Sequence, residues 1–156
     1  MMTTSIRLLS DGTIKRDGGC MFGHLPKTIW ESRIVTDRKN RMTLNLNCLL
    51  IQLAGKNIVV DTGVGSKEMN GQREDYGLGP SRLVKSLKSM GISPNQVDVV
   101  ILTHLHFDHS GGCTKLDRTG NLIPTFPKAT HYVQRDSWEQ ALSPSERFRD
   151  IYFEDD

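Results

Sequence analysis

The chain has 156 residues, which is enough for one domain with a buried core. Its 20 basic and 18 acidic residues are interspersed and give a net charge of +2, so the charge pattern does not indicate a nucleic-acid-binding protein. No apolar run is long enough for a membrane-spanning helix, and the first residues lack the pattern of a secretory signal. We therefore expect a cytoplasmic protein that binds neither nucleic acid nor membrane.

The first part of the chain predicts an edge strand followed by a hairpin. Residues 1–9 predict the edge strand, and the Asp11-Gly12 pair predicts a turn after it. Residues 42–51 alternate apolar and polar side chains and then become apolar throughout, which predicts a strand that begins half-exposed and ends buried. A tight turn would join this strand to its partner at 57–60.

The second part of the chain predicts alternating helices and strands. A helix from Pro80 to Gly91 has its leucines and valine on one face, and an apolar strand follows at 96–102. The remaining predicted elements are short strands at 122–126 and 130–134 and helices at 135–142 and 144–156. These elements predict an α/β (α+β) fold whose site lies at the carboxyl end of the 96–102 strand, where open α/β sheets place their sites.

The most informative segment follows that strand and contains His104, His106, Asp108 and His109. Imidazole nitrogen and carboxylate oxygen are the ligands that zinc prefers. His104 and His106 are two residues apart in an extended chain, so their side chains leave the same face. Asp108 and His109 follow after the chain turns. The spacing predicts two metal ions, one on each pair of side chains.

Other polar residues are interpreted as structural. Asp61 ends a buried strand beside two glycines, and we expect it to orient the metal ligands rather than bind metal, the alternative being an ordinary turn aspartate. His24 falls in a loop predicted at 19–30, and His131 falls in a strand. Ser110 has no partner base in the sequence, so it is not expected to act as a nucleophile.

The three cysteines, Cys20, Cys48 and Cys113, are odd in number and distant from one another in the sequence, so they do not predict a disulfide framework. We expect free thiols. Cys113 directly follows the glycines of the histidine-rich loop, so a ligand or redox role is the alternative for this residue. The four side chains of the motif already supply the chemistry of the site, which favours a structural cysteine.

The segment at 104–112, His-x-His-x-Asp-His followed by Ser-Gly-Gly, resembles the metal-binding signature of the metallo-β-lactamase superfamily. The Asp-Gly-Gly-Cys-Met-Phe-Gly sequence at 17–23, with Pro26-Lys27 and Trp30 after it, resembles the lactonase-like branch of N-acyl-homoserine lactonases and organophosphate-ester hydrolases. Asp-Thr-Gly at 61–63 resembles the turn that packs beneath the metals in this superfamily. The second motif position is histidine, which argues against the di-iron, oxygen-reducing branch.

The resemblance implies an αββα sandwich, of which this chain would be the N-terminal half. Residues 1–156 would form one incomplete metallo-β-lactamase-like domain that lacks the C-terminal half. The family's other three ligands, a histidine, a bridging aspartate and a last histidine, would come from that half. The expected partner is therefore the missing half or a second chain, and a homodimer is a further expectation.

The resemblance also implies a metal-dependent hydrolase of ester or lactone bonds, such as those of N-acyl-homoserine lactones. The expected cofactor is a pair of Zn²⁺ ions, with iron or manganese as alternatives. Asp108 would hold one metal, steer the attacking hydroxide and assist proton transfer, which makes it the expected catalytic residue. The alternatives are a phosphotriester hydrolase, an inactive fragment that needs a partner half, and a thioester hydrolase or sulfur dioxygenase that uses one iron.

Overall fold

The computed structural model describes residues 4–67 and 71–156 and shows a mixed α/β protein. The strands are β1 Ser5–Asp17, β2 Arg41–Leu53, β3 Lys56–Val60, β4 Val99–Leu102, β5 Thr114–Leu116, β6 Leu122–Pro124 and β7 Thr130–Val133. The helices are α1 Gly18–Phe22, α2 Lys27–Trp30, α3 Gln72–Asp75, α4 Leu83–Ser89, α5 Phe107–Ser110 and α6 Arg135–Leu142. Short 3₁₀ helices span Pro94–Gln96, Gly111–Cys113 and Glu146–Ile151. Among the described residues, no helix is long and apolar enough to cross a membrane.

The described chain forms two compact units. The first contains residues 4–12, 46–67 and 80–156, and therefore includes the whole histidine-rich segment. The second contains residues 13–45 and 71–79. The structure confirms the predicted α/β class.

One five-stranded sheet, in the order β1-β2-β3-β4-β7, supports the first unit. β2 and β3 form the predicted antiparallel hairpin, and β3, β4 and β7 are parallel. Leu50, Val59 and Val100 lie side by side on neighbouring strands and are fully buried. Leu83 and Leu87 of α4 join this core, because residues four apart share one helix face. The sheet and α4 thus hold the end of β4, where the histidine-rich segment begins.

The sheet face opposite the side chains of Leu50, Val59 and Val100 is also apolar, but it is partly exposed. Val100 and Leu102 of β4 are buried, whereas Ile101 is 38 % exposed and Tyr132, its partner on β7, is 57 % exposed. Central parallel strands that are apolar on both faces normally have both faces covered. We call this surface the open sheet face, and its members are Ile58, Val60, Val99, Ile101 and Tyr132.

The second unit contains two short helices where residues 19–30 had predicted a loop. The Asp17 carboxylate accepts the backbone N–H of Cys20 at 2.9 Å and so caps the first turn of α1. The Phe22 and Trp30 rings then stack with their centroids 4.6 Å apart. The loop prediction was wrong. It was based on the glycine content of the segment and did not consider the Asp17 cap or the stacked aromatic pair.

The chain after α6 also differs from the prediction. Residues 144–156 had predicted one amphipathic helix, but only Glu146–Ile151 is helical, and it is a 3₁₀ helix. The carbonyl of Asp155 and the carboxylate of Asp156 bind the ammonium group of Lys67 instead of continuing a helix. The backbone becomes extended at Tyr152, so the helix ends at Ile151, before the acidic residues at 154–156.

Asp11 lies within β1 and does not form the predicted turn. Its side chain is buried and accepts hydrogen bonds from the backbone N–H of Gly65, Arg82 and Leu83, at 2.9, 2.9 and 3.0 Å, and from the Ser81 hydroxyl. The backbone groups of Arg82 and Leu83 are the first donors of α4, which have no partner within the helix. A carboxylate on β1 thus caps a helix that is distant in the sequence.

Asp11→Ala is expected to lower the free energy of unfolding by about 2 kcal/mol, because buried backbone donors lose their acceptor. Urea unfolding followed by circular dichroism measures this change. Asp150→Ala, which truncates an exposed aspartate of the same unit, should stay within about 0.5 kcal/mol of the unmodified chain. Equal unfolding midpoints for the two variants would show that Asp11 does not stabilise α4.

Candidate metal centre

The first pair of candidate ligands is His104 and His106. β4 ends at Leu102, and the extended backbone that follows brings His104 Nε2 to 3.1 Å from His106 Nδ1. The two rings are nearly perpendicular, with an interplanar angle of 80°. Two donors that share one zinc ion in tetrahedral geometry are about 3.4 Å apart. The separation of these nitrogens therefore suits a single ion.

The second pair, Asp108 and His109, lies on α5. This one-turn helix begins directly after His106 and places Asp108 Oδ2 at 3.8 Å from His109 Nε2. Two donors of one zinc ion cannot be more than about 4.1 Å apart, which is twice the bond length. The His104 and His109 ring centroids are 4.0 Å apart, so the two pairs are adjacent.

Asp61 orients the second pair. It follows β3 with a positive φ of 57°, and its side chain is 9 % exposed. Its Oδ2 atom lies 2.8 Å from His109 Nδ1, and its Oδ1 atom accepts the backbone N–H of Thr103 at 2.8 Å. The bond from His109 Nδ1–H leaves the Nε2 lone pair available toward Asp108. The prediction that Asp61 is a buried carboxylate bound to a candidate ligand is confirmed by these contacts, and its effect on metal binding stays a prediction.

Thr103 orients the first pair, and sequence reasoning missed it. Its hydroxyl lies 3.0 Å from Asp61 Oδ1 and 3.1 Å from His104 Nδ1. A hydroxyl has one proton, so when it donates to the carboxylate it accepts from His104 Nδ1–H. His104 Nε2 then keeps its lone pair toward His106. A hydroxyl residue directly before the first histidine was the only local signal.

The surroundings shift the pKa values of His104 and His109 in opposite directions. Burial, followed by the neighbouring His109 and His106, lowers the pKa of His104 and favours the neutral imidazole that metals require. Burial would also lower the pKa of His109, but the hydrogen bond to Asp61 and the charge of Asp108 raise it. Burial opposes ionisation of Asp61, yet hydrogen bonds from His109 and Thr103 bring its pKa below the ordinary value.

Glycines allow the histidine-rich segment at 103–113, which we call the metal loop, to pack on the turn that follows β3. The carbonyl of His109 accepts the Thr62 backbone N–H at 2.7 Å, and the Gly63 carbonyl accepts the Gly112 N–H at 3.0 Å. A Cβ atom on Gly112 would overlap the Thr62 carbonyl oxygen, and one on Gly65 would lie 2.7 Å from a loop carbonyl. The close backbone approach is what fixes Asp61 beneath the histidines.

Four of the residues interpreted as structural lie apart from these pairs or have structural contacts. His24 is exposed between α1 and α2, and His131 is exposed on β7 opposite Val100. The buried Ser110 hydroxyl donates to the His106 carbonyl at 3.1 Å. Burial raises the pKa of Cys113 to about 11, which disfavours the thiolate needed for metal or redox chemistry.

The donor chemistry and spacing fit metal binding, but the donor set is incomplete. Within residues 4–67 and 71–156, no three His, Cys, Asp or Glu side chains are grouped to hold one ion. Each pair supplies two donors, whereas zinc sites in proteins use three or four protein ligands. A zinc site built on either pair would therefore need further donors.

Comparison with known proteins identifies the family. The family model of the metallo-beta-lactamase superfamily matches residues 42–154, which include the metal loop, strands β3 to β7 and all but the first residue of β2. The chain belongs to the metallo-β-lactamase superfamily. This result confirms the resemblance that the motif at 104–112 indicated.

Relatives of this superfamily member include N-acyl homoserine lactonases, which supports the resemblance to the lactonase-like branch. The lactonase AttM of Azorhizobium caulinodans is 40% identical over 72 residues, covering 46% of this chain and 22% of AttM. An N-acyl homoserine lactonase of Bacillus thuringiensis is 28% identical over 120 residues, covering 70% of this chain and 44% of the relative. The matches thus span less than half the length of each relative.

Solved structures with the metallo-β-lactamase fold also match nearly all of this chain but only about half of their own length. A probable metal-dependent hydrolase from Staphylococcus aureus has a TM-score of 0.87 and 32% identity, over 97% of this chain and 54% of that protein. The dizinc quorum-quenching lactonase AidC has a TM-score of 0.69 and 22% identity, over 97% of this chain and 54% of AidC, which shows the fold. The chain therefore has the predicted N-terminal half of the fold.

Asp61→Asn is expected to weaken zinc binding by about 10- to 100-fold, because an amide at this position no longer fixes the His109 tautomer. Titration with Zn²⁺ against a coloured chelator measures the affinity. Asp117→Asn, at an aspartate whose carboxylate bonds Thr119 and Asn121 of its own surface turn, is the matched control and should bind zinc as the unmodified chain does. Unchanged affinity in Asp61→Asn would contradict the orienting role.

Proposed function

We propose that this chain supplies the N-terminal half of the active site of a metal-dependent hydrolase of lactone or ester bonds, such as those of N-acyl homoserine lactones. The observation that carries the proposal is the clustering of four donors in two pairs, with separations of 3.1 and 3.8 Å. The lactonase relatives and the probable metal-dependent hydrolase with the same fold support this assignment.

The proposed cofactor is a pair of Zn²⁺ ions, with iron or manganese as alternatives. His104 and His106 would hold one ion, and Asp108 and His109 would hold the other. The dizinc character of AidC, which shares the fold, supports zinc. When bound, the ions would supply a Lewis acid for the carbonyl under attack and lower the pKa of the water nucleophile.

The chain's own residues would orient the donors and move a proton. Asp61 and Thr103 keep the Nε2 lone pairs of His109 and His104 directed toward the site. Asp108 Oδ2 faces His109, and we assign to the Asp108 carboxylate the acceptance of the water proton and its delivery to the leaving alkoxide. Catalysis by this assignment needs no serine or cysteine nucleophile.

A complementary half would complete both the site and the fold. Each metal pair lacks at least one protein donor, and the open sheet face leaves Ile101 and Tyr132 exposed to water. An apolar face of a central parallel strand is stabilised when another layer covers it. We propose that the complementary half of the sandwich, in the same polypeptide or in a second chain, provides this layer and the remaining donors.

Native mass spectrometry, elemental analysis and a hydrolysis assay test the proposal together. The purified protein, with any chain that co-purifies, is loaded with Zn²⁺ and given N-hexanoyl homoserine lactone, and ring opening is followed by proton release. A phosphotriester and a thioester in the same panel separate the alternative substrates. The expected result is chelator-sensitive lactone hydrolysis. Hydrolysis that resists chelation, or a metal-loaded complete assembly that opens no lactone, contradicts the proposal.

A further inference from the structure

A buried lysine joins three segments behind the metal loop. The Lys67 side chain is 9 % exposed, and its ammonium group donates to the carbonyl oxygens of Gly111 at 3.0 Å and Asp155 at 2.9 Å. It also bonds the Thr114 hydroxyl and pairs with Asp156 Oδ1 at 2.7 Å. Lysine is rarely buried unless it is paired. The contacts connect the chain after β3, the loop after α5 and residues 155–156.

The segment at 152–156 contacts one candidate ligand, His106, and its neighbour Phe107. The Tyr152 ring meets the His106 imidazole edge to face, with centroids 5.1 Å apart and an interplanar angle of 72°. Phe153 packs on Phe107 in the same way at 5.6 Å. Asp155 and Asp156 of the same segment bind Lys67. The lysine therefore fixes the end of the segment whose aromatic rings lie against the metal loop.

We propose that Lys67 is a positioning residue for His106, which acts by holding the Tyr152 ring against the imidazole. His106 Nδ1 faces His104 Nε2, so a ring held between His104 and Tyr152 keeps its donor aimed at the first metal position. This inference rests on the proposed function, in which His106 binds metal. It adds a residue that lies outside the histidine motif and follows β3 in the sequence.

Charge explains why the lysine is needed. The Asp156 side chain is 8 % exposed, and burial raises the pKa of its carboxyl group even with Lys67 beside it. When one partner of a buried ion pair is removed, the other charge is left without compensation. Without the ammonium group, residues 152–156 are therefore expected to leave the metal loop for water.

Proton NMR of the histidine rings in the metal-free full chain tests the proposal. Tyr152→Leu removes the aromatic ring and sets the reference displacement of the His106 ring resonances. Lys67→Met is expected to displace the same resonances in the same direction by at least half as much, while those of His131 stay in place. Lys128→Met, at an exposed lysine of the same unit, should displace none of them.

A milder variant keeps the test decisive if Lys67→Met does not fold. Thr114→Val removes the hydroxyl that bonds both Lys67 and the Asp155 carbonyl, and it should displace the His106 resonances in the same direction by a smaller amount. Lys67→Arg, which retains the charge, should restore most of the original positions.

Unchanged His106 resonances in a folded Lys67→Met or Thr114→Val chain would overturn the inference. Equal displacement of the His24 and His131 resonances would also overturn it, because that pattern indicates general loosening. Metal and substrate are absent from this measurement. An inactive protein would therefore contradict the proposed function and leave the positioning role of Lys67 standing.

Discussion

His106→Ala is expected to lose metal from the first pair and, in the proposed lactone hydrolase, to lower kcat/KM by about 1,000-fold or more. Removing its Nδ1 atom, 3.1 Å from His104 Nε2, leaves one donor where the pair had two. A Lewis acid contributes several kcal/mol to stabilising the transition state, and each 1.36 kcal/mol is tenfold in rate. Elemental analysis measures the metal per chain, and the hydrolysis assay of the metal-loaded assembly measures kcat/KM.

The matched control for His106→Ala is His131→Ala. His131 is also a histidine of the first unit, but it is exposed on β7, and we expect its removal to change neither metal content nor rate. Circular dichroism should show both variants folded, since His106 is only partly buried. Full metal content and undiminished hydrolysis in His106→Ala would refute the assignment of the metal centre.

Gly112→Ala is expected to lower the free energy of unfolding by about 3 kcal/mol, the upper range for overpacking a buried site. The added Cβ would overlap the Thr62 carbonyl oxygen, so the loop or the turn after β3 has to move. Because Asp61 belongs to that turn, the same movement should weaken zinc binding. Denaturant unfolding and zinc titration measure the two effects.

Gly79→Ala provides the control for the glycine substitution. A Cβ atom there meets nothing within 4 Å, and the backbone of Gly79 does not require a positive φ. Its stability should change by no more than about 0.5 kcal/mol. If Gly112→Ala unfolds at the same midpoint as Gly79→Ala, the close approach of the loop to the turn does not contribute to stability.

The buried network behind the ligands explains how a short loop can be held in one arrangement. Asp61 directly follows β3 and Thr103 directly follows β4. These two strands are hydrogen-bonded neighbours. The Asp61 carboxylate binds the backbone and hydroxyl of Thr103 as well as the His109 ring. The pairing of β3 with β4 therefore sets the orientation of the His104 and His109 rings.

Local patterns predicted the elements that local interactions form. Arg135–Leu142 is helical as predicted, and the strand pair around Gly55 forms a hairpin, because the turn and the apolar alternation lie within a few residues. The spacing of His104 and His106 also predicted neighbouring side chains, since an extended backbone returns to the same face every second residue.

Long-range contacts account for the predictions that failed. The Asp11-Gly12 pair was interpreted as a turn, but Asp11 caps α4 from within β1. The segment predicted as the last helix is helical only over Glu146–Ile151, and the carbonyl of Asp155 beyond it binds Lys67. Neither partner lies within 50 residues of the group it binds, as the separations of 71 and 88 residues show. No local pattern could have paired them.

The sequence alone determined the family, the α/β class and the identity of the four candidate ligands, because their spacing along one loop is a local property of the chain. The tertiary structure alone decided how those ligands are aimed. Thr103 and Asp61 meet only when β3 and β4 pair, and Lys67 reaches residues 155–156 only when the loop after α5 packs on the turn after β3. Hydrogen-bond direction and burial depend on this packing, and they exist only in the folded chain.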